Sequence, residues 1–540
     1  MLIDRRFILK GATLGLGALA VPGFAQALIA TGFTHDVASG EPGQDRVTLW
    51  TRYVPAASQS GRLRWEVASD SEFSRIVARG EAEAASERDW CVKPVVRGLA
   101  PGGWYFYRFT DAAGRASPTG RTRTLPDGSV DKFTLGVFTC ANLPFGHFNA
   151  YAHAAARRDI DLMVHLGDYI YEYPRGAYPS LEQAVPGRLI LPETETIALA
   201  DYRLRYASYR SDPDLQRLHR LFPMVAMWDD HETANNSWAG GAQNHQAETE
   251  GRWEDRKTAF TRAYLEWMPV SAASWTSYHI GDLADLFRPE TRVTGRDRQL
   301  SVADALRDQP DEAAALARFR DATWLDPARS MLGPEQERWL AEGLRRSSGD
   351  RVRWQVLCQQ VIMGSLSYSP AFLDLLGANA DAVSLARARL ALATAEAGLP
   401  MNLDIWDGYP AARARLLGAS QEADANLIVL SGDSHNAWAF DLPHEARPAG
   451  AEFAVQSVTS PGSEGSFSAD PADVARAYLG RNEQLKWADT SRRGYLTLEL
   501  TPERATGEFV FLDTVREPSL AIAARHAMRV AHGTNRFETT

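Results

Sequence analysis

Cysteine is scarce: Cys91, Cys140 and Cys358 are three thiols in 540 residues. An odd number leaves at least one unpaired, so no complete disulfide framework holds this fold together. Long apolar runs are also missing. Beyond the N-terminal segment no stretch reaches the roughly 18 unbroken apolar residues of a membrane helix, which argues against an integral membrane span. The third absence is basic excess. Lys and Arg number 58 against 68 Asp and Glu, a net charge of −10, and without a basic stripe nucleic acid is not expected as a general partner. With 45% hydrophobic and 23% charged residues, the chain has a globular composition and the length for more than one domain and a large core.

The first 27 residues read separately. Arg5-Arg6-Phe7-Ile8-Leu9-Lys10 precedes the apolar, Gly/Ala-rich run Gly11–Val21, and Ala25-Gln26-Ala27 supplies a small-residue cleavage site. An anchor helix is the competing reading, but the run is short and Pro22 and Gly23 interrupt it. The paired arginines resemble a twin-arginine export signal with Asp4 in place of the usual Ser or Thr. The expected partner is then the twin-arginine export machinery and the expected location periplasmic or secreted. Removal takes away Asp4, Arg5, Arg6 and Lys10, a net +2, and moves the charge from −10 to −12. Folding before export takes place in a reducing compartment, which disfavours a Cys91–Cys358 disulfide and leaves Cys140 free for a metal.

From Phe33 to Thr124 short alternating runs recur with turn signals: Arg46–Arg52, Leu63–Ala68, Trp90–Val96 and Trp104–Thr110. That spacing predicts a β-sandwich over residues 28–125. Gly98-Leu99-Ala100-Pro101-Gly102-Gly103-Trp104 resembles the corner of fibronectin-type-III-like domains. Thr124–Asp131 is the linker, and residues 131–515 form the second unit.

The chemistry is concentrated in that unit. The apolar runs Leu135–Thr139 and Leu162–Leu166 flank a helix-like segment in β-α-β order. Cys140 and Asn142 follow the first run; Gly167, Asp168 and Tyr171 follow the second. Met224–Trp228 ends in Asp229-Asp230-His231-Glu232, and Leu427–Leu430 is followed by Gly432-Asp433-Ser434-His435. A Cys after a strand is usually a small buried hydrophobe, and an Asp there usually caps a turn. Recurrence at four strand ends is what makes these residues ligand candidates, because ligands of open α/β sheets gather beyond the carboxyl ends of parallel strands.

Thr196–Leu221 reads as helical, with Tyr202, Tyr206 and Tyr209 on one face as packing or a substrate-facing stripe. Thr233–Trp238 and the polar loop Ala239–Glu250 follow, and Asn235 and Asn236 of the first and His245 of the second read as residues that reach a site or simply line a solvated loop. Ser277–Phe287 is hairpin-like, and Gly333-Pro334 starts a helix. Ala371–Pro400 is an Ala/Leu-rich helical insertion, a lid or extra scaffold, and Leu520–Ala531 is expected to be an amphipathic helix within a tail over 516–540.

Taken together, Cys140, Gly167–Glu172, Trp228–Glu232, Met331-Leu332-Gly333 with Gln336 and Trp339-Leu340, Trp406–Tyr409 and Gly432–His435 resemble the PhoD-type alkaline phosphatase and phosphodiesterase family of the calcineurin-like metallophosphoesterase superfamily. The resemblance runs from the export signal to Asp441. It implies an α/β fold with a four-layer α-β-β-α metallophosphoesterase-like core behind a fibronectin-type-III-like β-sandwich. It also implies Fe(III) and Ca(II), and hydrolysis of phosphate mono- or diesters by a hydroxide shared between the cations. Ligand chemistry agrees with that pair: thiolate, phenolate, carboxylate and imidazole suit Fe(III), and carboxylates suit Ca(II). The assignment is Cys140, Asp168, Tyr171 and His435 for iron and Asp168, Asp230 and Asp433 for calcium, with Asp168 bridging. His231 is expected to stabilise the transition state or protonate the leaving group, or else to orient Asp230; Asn236 is expected to contact phosphate or metal. The chain departs from the family in having Glu290 where Asp is usual, and in the loop Ala239–Glu250 and the insertion after Ser365.

Two other functions fit parts of this pattern. One is a phospholipase D-like phosphodiesterase acting on lipid headgroups. The other is a non-catalytic, calcium-dependent surface or carbohydrate-binding protein with closed structural metal sites.

Overall fold

Residues 30–539, apart from 57–58, 378–380 and 468, are described by a computed structural model; the export-signal reading of residues 1–27 lies outside them. The runs that read as uninterrupted apolar segments are strands buried on both faces, as parallel strands covered by helices must be. Phe133–Phe138, Leu162–His165 and Pro223–Ala226 lie side by side and parallel, with Leu135 opposite Leu162 and Met163 opposite Met224. They are the middle of a ten-stranded sheet. A second, seven-stranded sheet has Ala284–Arg288, Trp354–Cys358, Leu427–Ser431 and Arg447–Ala454 parallel at its centre.

The two sheets pack face to face. Leu135, Val137, Val164 and Val225 of the first meet Leu286, Val356, Ile428, Leu430 and Phe453 of the second in one buried cluster. On the outer face of the first sheet sit the helices Asn149–Ala156, Leu199–Arg210, Pro213–Leu221 and Trp253–Trp267. On the outer face of the second sit Pro334–Gly349, Pro410–Glu422 and Pro471–Arg481. This is the four-layer α-β-β-α arrangement expected from the sequence, and it places the carboxyl ends of both sets of parallel strands at one edge.

The N-terminal region is β-rich, but its sandwich is not closed on itself. One leaf is the four-stranded sheet Ile76–Glu83, Arg62–Ala68, Trp104–Asp111 and Gly120–Arg123. The other, Gly32–Gly40 with Arg46–Val54, continues the ten-stranded sheet, because Ser39 and Gly40 pair in parallel with Pro223 and Met224. A Cβ at Gly40 would meet the carbonyl oxygens of Pro269 at 2.5 Å and Met224 at 2.7 Å, so only glycine allows that junction.

One expectation is corrected. Leu520–Ala531 is not a helix: Ile522–Ala531 is a strand paired antiparallel with Arg504–Leu512. Its inward residues alternate strictly, with Met528 and Val530 buried and Ala523, Arg525, Ala527 and Arg529 exposed. The period of two decides the structure over the helical preference of alanine. Elsewhere, Tyr202, Tyr206 and Tyr209 are fully buried packing residues. The insertion forms the helices Phe372–Leu375 and Ala382–Glu396, and Phe372, Ala388 and Ala395 anchor it to the outer helical layer.

Candidate metal centre

Each strand-end ligand candidate lies where the chain leaves its sheet. Cys140 (φ 55°), Asp168 (φ 56°), Asp433 (φ 63°) and His435 (φ 63°) all adopt left-handed backbone conformations, which cost about 1–3 kcal/mol each and persist where surrounding contacts over-determine them. Those contacts are present. The N–H groups of Cys140 and Ala141 donate to the carbonyls of Gly167 and Asp168. The carboxylate of Glu232 accepts from the N–H groups of Asp168, Tyr169 and Asp229, tying two strand ends together.

One group of donors comprises Cys140, Asp168 and His435, with ligand atoms within 4.8 Å of one another. Tyr171 joins it, its hydroxyl 3.0 Å from Asp168 Oδ2 and 3.3 Å from His435 Nε2. His435 Nδ1 donates to the Pro461 carbonyl at 2.8 Å, which leaves Nε2 as the free electron pair. Burial lowers the His435 pKa to about 4, so the ring is neutral, as a metal ligand must be. The Cys140 thiol and Tyr171 hydroxyl are pushed well above their usual values, first by burial and then by neighbouring negative charge, chiefly that of Asp168. Neither ionises here without a cation.

A second group, Asp168, Asp230 and His231, shares Asp168 with the first, and a third comprises Asp229, Asp230 and Asp433. Burial, partly offset by His231 and reinforced by the other acids, holds Asp168 well above the carboxylate range. Burial lifts Asp229 to about 8 against the pull of Arg292, and Asp433 to about 6 for the same reasons. Asp230 goes the other way: burial opposes its ionisation, but Arg292 and His231 outweigh it and lower the pKa. Asp229 Oδ2 is buried without a hydrogen-bond partner. Crowded acids, an orphaned carboxylate oxygen and a sulfur–phenol–imidazole set beside them together form a donor set that fits metal cations.

His231 is oriented on two sides. Its Nδ1 lies 2.7 Å from Glu172 Oε2, and its ring stacks on Tyr171 with centroids 4.3 Å apart. Burial works against its charge, but Asp230, Glu172 and Asp168 prevail and raise its pKa well above 6.5. Asn236 reaches the centre through its main chain, whose N–H donates to Asp230 Oδ2 at 2.6 Å. Its side chain turns away and donates to Gln243 Oε1 at 2.7 Å. His245 pairs with Glu250 rather than with the acids.

Sequence reading did not assign Glu232, Glu172, Ser460 or Arg292. The first two lie inside motifs it used, Ser460 donates to the Tyr171 hydroxyl at 2.8 Å from a strand end with no ligand of its own, and Arg292 gathers acids from distant segments.

With this geometry established, comparison with known proteins decides the family. The PhoD-like phosphatase family model matches residues 135–509, and the model for the N-terminal domain of the same phosphatases matches residues 19–126. The chain belongs to the PhoD-like phosphatase family. It is 32% identical to alkaline phosphatase D of Bacillus subtilis (strain 168) over 561 residues, 97% of this chain and 86% of that protein. A solved structure of PhoD superposes with a TM-score of 0.76 at 31% identity, covering 95% of this chain and 93% of that one. Purple acid phosphatase PPD1 from yellow lupin superposes at 0.53 with 10% identity, over 91% and 73% of the chains, a likeness of fold.

Proposed function

We propose that this phosphoric ester hydrolase works with two unlike cations that share Asp168: Fe(III) held by Cys140, Asp168, Tyr171 and His435, and Ca(II) held by Asp168, Asp230 and Asp433. The observation that carries the reading is that Asp168 belongs both to the Cys140–Asp168–His435 group and to the Asp168–Asp230–His231 group, and that Asp230 links the latter to the all-carboxylate group Asp229–Asp230–Asp433. Thiolate and phenolate favour Fe(III), and an all-oxygen set favours a hard cation such as Ca(II). When bound, such a pair supplies Lewis acidity, making water acidic near neutral pH and offsetting phosphate charge.

The remaining work falls to the chain. Asp168, pinned through its N–H by Glu232, fixes the spacing of the two sites. His231 keeps Nδ1 on Glu172, and the negative charge of Asp230, Glu172 and Asp168 favours the charged ring, in which Nε2 also carries a proton suited to stabilising an extra negative charge or protonating the leaving oxygen. Asn236 braces Asp230 through its N–H, and its amide is the group in that loop suited to a phosphate oxygen once it leaves Gln243.

The organisation proposed with this function is an export signal over 1–27, a β-sandwich over 28–125 and a catalytic unit over 131–515 whose ten-stranded sheet also takes in Gly32–Gly40, Arg46–Val54 and Ile522–Ala531, the enzyme acting in the periplasm or outside the cell. Arg5-Arg6 and Ala25-Gln26-Ala27 support export, and among the described residues no helix is long and apolar enough to cross a membrane. The test is elemental analysis of the purified protein with turnover of chromogenic mono- and diesters before and after chelation. Iron and calcium are expected, and calcium alone should restore activity to the chelated enzyme. Restoration only by zinc or manganese overturns the calcium assignment.

A further inference from the structure

Arg292 lies at the centre of the acids and is fully buried. Its guanidinium donates from Nε to Asp229 Oδ1, from Nη1 to Asp404 Oδ2 at 2.7 Å and from Nη2 to Asp433 Oδ1 at 3.1 Å. Nη2 also lies 3.7 Å from Asp230 Oδ1. The planar fork thus faces all three members of the Asp229, Asp230 and Asp433 group, together with Asp404, which belongs to none of the three donor groups.

We infer that Arg292 is a tethered cation that takes the place of a further divalent ion among Asp229, Asp404 and Asp433, beside the calcium proposed above, and that its fork positions Asp433 for that calcium. The inference rests on the calcium reading above. The fork is itself held from several directions. The Arg292 N–H donates to Glu290 Oε1 at 2.7 Å, and the Glu290 carboxylate also accepts from Trp228 Nε1, Val293 N and Thr294 N. Gln336 clamps the Glu290 main chain through both its N–H and its carbonyl. Asp404 is gripped from its other side by Arg296 Nη2 at 2.6 Å. A guanidinium offers five donors in a rigid plane, so it sets distances among acids arriving from separate segments; an ammonium supplies charge without that geometry. The partnerless Oδ2 of Asp229 leaves the group an acceptor that the arginine does not fill.

Arg292→Gln removes the charge and leaves three buried acids whose donor oxygens lie within 4.8 Å of one another, an arrangement that calcium competes with protons to neutralise once the acids are ionised. The test is equilibrium dialysis of calcium against iron-loaded parent, Arg292→Gln, Arg292→Lys and Asp404→Asn proteins, with iron content and visible absorption as checks of folding. Arg292→Gln is expected to bind one more calcium per chain than the parent and Arg292→Lys no more. Asp404→Asn, which frees the fork but keeps its charge, should bind the parental number about tenfold more weakly, as removal of a ligand-orienting partner does. A folded, iron-containing Arg292→Gln with the parental number overturns the inference. If that variant does not fold, Asp404→Asn decides, and parental calcium affinity overturns it. A parent that binds no calcium refutes instead the metal reading on which the inference rests.

Discussion

Gly167 immediately precedes Asp168, the residue common to two donor groups, and its replacement by alanine separates two costs. Its φ is +110°, a conformation that strains any residue with a Cβ, and an added Cβ would lie 2.4 Å from Asp229 Cβ and 2.6 Å from Asp229 N. The strain alone is worth about 1–3 kcal/mol. The clash is with the next strand end, which cannot turn aside as a flexible side chain would, so overpacking adds about 1–3 kcal/mol. Gly167→Ala should therefore lose about 2–6 kcal/mol in urea unfolding of the metal-free protein. Gly187 is the control: its φ is +82° with nothing within 4 Å of an added Cβ, so Gly187→Ala should show the strain without the clash. Relief of the contact moves Asp168 away from Asp229 and Asp230, and displacement by about 1 Å is enough to lower kcat about a hundredfold. If Gly167→Ala is no less stable than Gly187→Ala and retains kcat within tenfold, the close approach of these strand ends does not set the site.

Tyr171→Phe removes a hydroxyl that contacts Asp168, Ser460 and His435; it should bleach or shift a visible charge-transfer band while the far-ultraviolet circular dichroism stays unchanged, and an unaltered band in both Tyr171→Phe and Cys140→Ser removes the iron assignment. Lys93 gives a pH test away from the site: burial lowers its pKa to about 8 from 10.5, and its ammonium donates to the Val270 carbonyl at 2.6 Å. Between those two values the unfolded chain binds more protons than the folded one, so this residue contributes stability that rises with pH from about 8 to 10.5. Lys93→Met should flatten that rise in urea unfolding, and an unchanged slope refutes the burial argument.

Much of the core was legible because strands buried on both faces are written as apolar runs, and the residues just beyond them carry the chemistry. Cys140, Asp168, Tyr171, Asp230, His231, Asp433 and His435 converge for that reason. Arg292 was not legible, because its partners lie 63, 112 and 141 residues away and only the packed sheets bring them together. The final strand was obscured by its alanines, whose helical preference masks an alternation carried by Met528 and Val530. Nothing in the run Gly32–Gly40 announces that it will pair with Pro223–Ala226 rather than close its own sandwich; that depends on Pro269 and Met224 closing over Gly40.

The central claim is that Asp168 is shared between two cations and Asp433 is not. Asp168→Asn keeps the side chain's size while removing the charge common to the Cys140–Asp168–His435 and Asp168–Asp230–His231 groups, whereas Asp433 belongs only to the group it forms with Asp229 and Asp230. The direct measurement is iron and calcium content with visible absorption of Asp168→Asn and Asp433→Asn side by side. Asp168→Asn should lose both metals and the colour, and Asp433→Asn should lose calcium and keep its iron and its band. Loss of a single ion in Asp168→Asn together with loss of both in Asp433→Asn would contradict the account and move the bridging role to Asp433.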